Sequence, residues 1–499
     1  MVTHSQTGAR ARSWVSLPAE IRLKILETIA RQKYPGWASF ASVCKEWQSI
    51  LEKANFRKMR LGLSCLDGVK HLTRPQKMGM IHHIYFNIEL PTYTRRCCVK
   101  GRHSPPCNTD AIVYNGLRRL LYILSTWNPE NELALEVNAY SPSDNKHWFK
   151  NIYLSSNDVE DVEDNEDTIT HLQKTRLQLH DPRHGWVHGH QSRPPKESLK
   201  RLFRITQTDF WRFHIVQAVT SFVIRRQFRR CLCPEAIAFL VCSFRNLKHL
   251  SYEPWAPFNQ PSGLSQHQAK TDQDLIRKFW YSFPRDLEKL IIFEDSYAFY
   301  DPSSDRPAHN IPASKFFKNK TLGSTFANRS LELQHLAISF MVDAEDVFEP
   351  CQPTWSWPHL ESLALTSQSL GNDWRKYGKI ETLLCRASVF VRKMPKLHTL
   401  VLWNGGKANA CAFIYRVDRE CASITWRGTW RLPLTRPVIE SWQRTASELP
   451  CSEYSELRIT TEDIQRIPHC HGDAIHYLQL PCQVIEPASL WQIRRETYI

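Results

Sequence analysis

A six-residue phrase, Leu-x-x-Leu-x-apolar, returns five times between residues 247 and 402. It reads Leu247-x-x-Leu250-x-Tyr252, Leu287-x-x-Leu290-x-Ile292, Leu333-x-x-Leu336-x-Ile338, Leu360-x-x-Leu363-x-Leu365 and Leu397-x-x-Leu400-x-Leu402. Ile81-x-x-Ile84-x-Phe86 is an earlier relative. The last three positions alternate, which suits a short strand with one buried face. Polar or turn-like leads precede several copies: Phe244-Arg245-Asn246, Phe283-Pro284-Arg285-Asp286 and Met394-Pro395-Lys396. Copies in one phase predict strands that bury one face together, with Leu250, Leu290, Leu336, Leu363 and Leu400 at equivalent sites. Unrelated strands of one α/β domain are the competing reading.

The phrase resembles a degenerate leucine-rich repeat, with intervals from under thirty to over forty residues. That resemblance implies a curved parallel sheet with helices on its outer side. The positions alternating with the leucines would then face outward: His249 and Ser251, Lys289 and Ile291, His335 and Ala337, Ser362 and Ala364, Thr399 and Val401. They include no carboxylate, so this face is expected to be neutral to mildly positive. His249, Lys289 and His335 are the candidate target-binding residues, for an acidic or phosphorylated protein segment. The competing expectation is that inserts cover this face and that targets bind loops or the C-terminal segment instead.

The N-terminal stretch carries a different pattern. Pro18, with its preset φ, suits a first helical position, and Glu20 complements the helix dipole. Ile21, Ile25, Leu26 and Ile29 line one helix face. Tyr34-Pro35-Gly36 breaks that helix. A second short helix is expected around Phe40, Val43 and Cys44, and a third around Trp47, Ile50, Leu51 and Ala54. So small a module cannot bury all its apolar side chains, and an exposed apolar patch marks a partner surface.

Leu17-Pro18-x-Glu20-Ile21, Ile25-Leu26-x-x-Ile29 and Ser42-Val43-Cys44-Lys45-x-Trp47 resemble the F-box. The resemblance covers about a tenth of the chain. Its departure is a bulky Tyr-Pro-Gly-Trp in the intervening loop. It implies docking to a Skp-type adaptor, and through it a cullin, by Leu17, Pro18, Ile21, Ile25, Leu26, Val43, Cys44 and Trp47. A helical subdomain packed only on its own chain is the plainer alternative. Near the other end, Ile424-Thr425-Trp426-Arg427-x-Thr429-Trp430 resembles an uncharacterised C-terminal domain that accompanies fungal F-box proteins. That implies lineage but no chemistry.

The expected fold is therefore α/β. It has a three-helix F-box-like module at residues 13–61, an irregular leucine-rich-repeat-like solenoid at 80–405 and an α+β segment at 406–499. Within the last, 412–417 and 422–430 read as strands, Val438, Ile439 and Trp442 as a helix, and 474–480 with 489–496 as a strand and a helix. The acidic residues 158–167 read as a loop.

Composition narrows the function. The 499 residues are 42% hydrophobic and 11% aromatic, with 17 Trp, which argues against global disorder. The first thirteen residues lack a signal-peptide core, and no apolar run is long enough to span a membrane. Fifteen scattered Cys read as free thiols in a reducing compartment, cytoplasmic or nuclear. The net charge of +15 raises the prospect of an acidic partner. Its densest run, Arg225-Arg226-Gln227-Phe228-Arg229-Arg230, reads as a solvated helix face, with a phosphate or acidic-partner patch as the alternative.

No phosphate loop, Gly-x-Ser-x-Gly elbow or His-Glu-x-x-His pair occurs, so no catalytic residue is assigned. Cys97, Cys98, His103 and Cys107 cluster, as do His180, His184, His188 and His190, without the two-plus-two rhythm of structural zinc. No metal or other cofactor is expected. The function expected is substrate recruitment to a Skp–cullin–F-box ubiquitin ligase, without catalysis by this chain. The rival is a basic nucleic-acid or chromatin-associated binding protein.

Overall fold

The computed structural model describes residues 14–32, 34–70, 75–99, 108–153, 174, 177–192, 194–206, 212–256, 283–296, 320–418, 421–448 and 457–498. The acidic residues 158–167, His103 and Cys107 lie outside them.

Two helices open the described chain, α1 (Ala19–Gln32) and α2 (Lys45–Arg57), with a 3-10 turn at Trp37–Ser42 between them. Val43 and Cys44, expected within a helix, sit instead in the link to α2, with Cys44 extended as its N-cap. α2 runs directly into β1 (Lys58–Leu61). From there twelve strands among the described residues form one sheet whose spatial order follows the chain. They continue as β2 (His83–Glu89), β3 (Leu133–Tyr140), β4 (Val219–Ile224), β5 (His249–Tyr252), β6 (Lys289–Phe293), β7 (His335–Ser339), β8 (Ser362–Thr366), β9 (Thr399–Gly406), β10 (Asn409–Val417), β11 (Ala422–Gly428) and β12 (Arg458–Asp463). β1 to β9 are parallel, β9 to β11 form an antiparallel meander, and β12 returns parallel to β11.

The recurrent leucines explain this stacking. Leu250, Leu290, Leu336, Leu363 and Leu400 are directly opposite one another across β5 to β9, each at most 2% exposed. Ile84, Leu135 and Phe222 carry the same row back through β2 to β4. Tyr252, Ile292, Ile338, Leu365 and Leu402 make a second row two residues on. In parallel strands, a one-residue slip would turn every such side chain to the other face, so the two rows fix the register.

On that side pack α3 (Thr109–Leu124), α4 (Pro234–Ser243), α5 (Lys320–Arg329), α6 (Tyr377–Val391) and α7 (Arg436–Ser447), all contributing to one core. α3 shows why: Val113, Leu117, Leu120, Leu121 and Leu124 recur at helical spacing on its buried face.

The opposite face departs from expectation. Ser251, Ile291, Ala337, Ser362, Ala364, Thr399 and Val401 are buried rather than outward-facing. Two C-terminal helices, α8 (His471–Leu478) and α9 (Pro487–Tyr498), cover the apolar half. Ala474, Ile475, Leu478 and Ile493 close a second core with Ile291, Ala337, Ala364 and Val401. Gly405 makes room for this. A Cβ there would stand 2.6 Å from that of Ala474.

Residues 474–478, expected as a strand, are therefore helical. The Cys470 sulfur caps the Asp473 amide at 3.4 Å, and Gln479 at φ 42 ends the helix. The expected boundary at 405/406 falls inside the β9–β10 hairpin, across which the sheet runs unbroken.

Candidate protein-docking surface

α1 starts where Pro18 predicts. The Ile21 and Arg22 amides both bond the Pro18 carbonyl at 3.1 Å. Its packing is thin, however. Across residues 14–32 and 34–57 only Leu26 and Leu51 are fully buried. Ile21 is 42% exposed and Val43 60%, and Val15, Pro18, Leu23, Ile25, Tyr34, Phe40 and Cys44 are exposed too. Leu17 and Trp47 are half-buried. Of the eight adaptor-contact candidates, Leu26 alone is sealed in the interior and cannot touch a partner.

Glu46 holds the start of this segment. It accepts the Trp14 indole N–H at 3.0 Å and Arg22 Nε at 2.9 Å, and Arg22 also reaches the Leu17 carbonyl at 3.0 Å. The hydrogen bonds from Trp14 and Arg22 keep its carboxyl below the usual carboxylate range. Trp47 gathers the Trp14 ring at 5.1 Å and the Phe40 ring edge-on at 6.1 Å. The surface is thus braced from beneath while its aliphatic side chains face water. Val15 and Leu23 were not singled out from sequence, and Tyr34 was noted only as part of a helix break. A lone apolar residue gives no sign of its exposure.

The three target-binding candidates do come together: His249, Lys289 and His335 are opposite one another in β5, β6 and β7. His249 and His335 are partly exposed. Burial lowers the pKa of both from its ordinary value, and the Lys289 charge adds to this. Lys289 Nζ donates to Gln483 Oε1 at 2.8 Å. Two carboxylates stand in the gaps, Glu288 at 3.9 Å from His249 and Glu361 at 3.9 Å from His335 and His398. The row is of mixed charge, where a neutral to mildly positive surface was expected. Both acids immediately precede strands, so the alternation within strands did not include them.

The arginine run is neither a helix nor solvated. It is a loop after β4, with all four arginines buried. Arg225 Nε meets Glu136 at 2.5 Å. Arg226 meets Asp295 at 2.5 Å and Glu496 at 2.8 Å, and Arg229 also binds Glu496. Arg230 forks onto Asp144 with two bonds of 2.6 Å. This network ties α9 to the sheet and withholds the run from any phosphate. Beside it, Glu253 accepts the Arg226 amide at 2.9 Å, the Glu486 amide at 2.7 Å and the Ser489 hydroxyl. Burial pushes its carboxyl up to about 7.

The histidine cluster is divided. His184 Nε2 lies 3.1 Å from His147 Nδ1, and His184 Nδ1 lies 2.6 Å from Asp181. The His180 and His188 rings lie 4.8 Å apart, tilted at 47°. Cys97 and Cys98 are buried. Among the described residues, no group of three His, Cys, Asp or Glu is placed to hold a metal ion. No helix among them is long and apolar enough to cross a membrane.

Residues 282–486 match DUF6546, a family of unknown function. The matched stretch runs from just before β6 through α8 and excludes the N-terminal helices. No curated protein matches the chain.

Proposed function

We propose that this chain is a substrate-recruiting adaptor of a Skp–cullin–F-box ubiquitin ligase. Its N-terminal helices act as an F-box-like module, and the stacked strands are an irregular leucine-rich-repeat-like solenoid that presents a protein target. The observation that carries this reading is the unsatisfied apolar surface of α1 and the 3-10 turn, at the residues that match the Leu-Pro-x-Glu-Ile and Val-Cys-Lys-x-Trp elements. Apolar surface left in water on so small a module favours a partner. The direct run from α2 into β1 supports a fixed geometry between adaptor and target. The contribution to ubiquitin transfer is proximity, with no bond made or broken by this chain.

The test is co-purification of a Skp-type adaptor with the full chain and with Pro18→Ala/Ile21→Glu/Val43→Glu. All three side chains are exposed, so the variant should fold. Wild type is expected to retain the adaptor and the variant to lose it. Equal retention by both, or none by wild type, would refute the docking role.

A further inference from the structure

Among the described residues, β12 is the last strand of the sheet and pairs only with β11. Five of its six residues are exposed, Thr460 being half-buried. A strand edge left open displays unpaired N–H and C=O groups, a template for another strand. Charges on such an edge ordinarily guard it against pairing. Here their order does the reverse.

Arg458, Thr460 and Glu462 share one face, beside Ser423, Thr425 and Arg427 of β11. Thr460 Oγ1 is 2.7 Å from Thr425 Oγ1, which fixes the strand's rotation. In an antiparallel pair, directly opposite residues point to the same face. A two-fold pairing of β12 with its own copy must therefore centre on one residue. Centred on Thr460, it sets Arg458 against Glu462 of the second copy, twice, and Ile459 against Thr461. Centred on Thr461, it sets Ile459 against Asp463 and leaves Arg458 unmatched. Arg458 makes no ion pair among the described residues. Glu462 uses Oε2 for Arg427, at 2.6 Å. Asp463 is already held by Arg431 at 2.9 and 3.1 Å. Ile459, 39% exposed, would be covered by the pairing.

We infer that β12 is a self-pairing edge: two copies of this chain join antiparallel about Thr460, extending both sheets through isologous Arg458–Glu462 contacts. The interface is independent of the N-terminal helices, at the far end of the sheet.

The test measures the mass of the full chain by light scattering across a concentration series. Wild type should show a concentration-dependent dimer. Arg458→Glu alone opposes two acids at each of the two contacts, and Glu462→Arg alone opposes two bases at each. Each should raise the dimer dissociation constant about tenfold or more, since opposed like charges replace matched ones at both contacts. Both positions are exposed, so circular dichroism should be unchanged. An equimolar mixture of the two variants restores both pairs and should return the dimer. Three results would overturn the proposal. One is a wild type that stays monomeric. Another is a mixture no tighter than its components. The third is open-ended growth, which would point to pairing with the β1 edge of the next copy instead.

Discussion

Leu290 and Leu336 face each other across β6 and β7 with almost no exposed surface. Truncating either to Ala leaves a cavity that the neighbouring strands cannot close, at a cost of about 2–5 kcal/mol. Chemical denaturation of Leu336→Ala checks this; a loss under about 1 kcal/mol would mean that the row is not close-packed. Glu253 makes a second residue-scale prediction. Its carboxyl is raised to about 7 from an ordinary 4.5, so folding favours the protonated form. That contribution is whole below about pH 4.5, declines as pH rises, and is gone once pH passes about 7, on the order of 3 kcal/mol in all. Wild type should lose stability over this window by more than Glu253→Gln does, as thermal melts in matched buffers would reveal. Equal slopes would exclude Glu253 as the source. The leucines were legible because their spacing repeats. The role of the arginines was not, because one partner of Arg226 lies 270 residues away and sequence gives no sign of the pairing.

At the scale of elements, α9 depends on charge as much as on apolar packing. Glu496 meets both Arg226 and Arg229 in the interior. Glu496→Ala would leave both guanidiniums buried without it, a loss of about 3–5 kcal/mol. Limited proteolysis should then release the C-terminal helices first; an unchanged digestion pattern and melting curve would show that α9 is held by its apolar contacts. The elements that sequence resolved were those with a strong period: α1, α2, α7, α9 and strands β2 and β5 to β11. β3 and β4 escaped notice because neither carries the Leu-x-x-Leu lead. β12 escaped because an exposed edge strand needs no apolar alternation. α8 was misread because Ile475, Tyr477 and neighbouring residues satisfy a two-residue alternation as well as a helical one. The Cys470 cap and the packing of Ala474 on Gly405 decide between them.

At the scale of the whole molecule, the distribution of cover matters most. One face of the sheet is sealed by helices of the main core, and the apolar half of the other by α8 and α9. The N-terminal helices are left with apolar side chains in water. Sequence indicated this surface through the F-box resemblance, but it did not reveal that the C-terminal helices close the strand face. Their partners on β6 to β9 are separated from them in the chain by the whole meander. The proposed docking therefore needs the N-terminal surface. Calorimetric titration of a purified Skp-type adaptor into the full chain, at low and high salt, tests it most directly. An apolar interface predicts saturable binding, a negative heat-capacity change and an affinity that barely responds to salt. Absence of binding, or an affinity that collapses as salt rises, would contradict it.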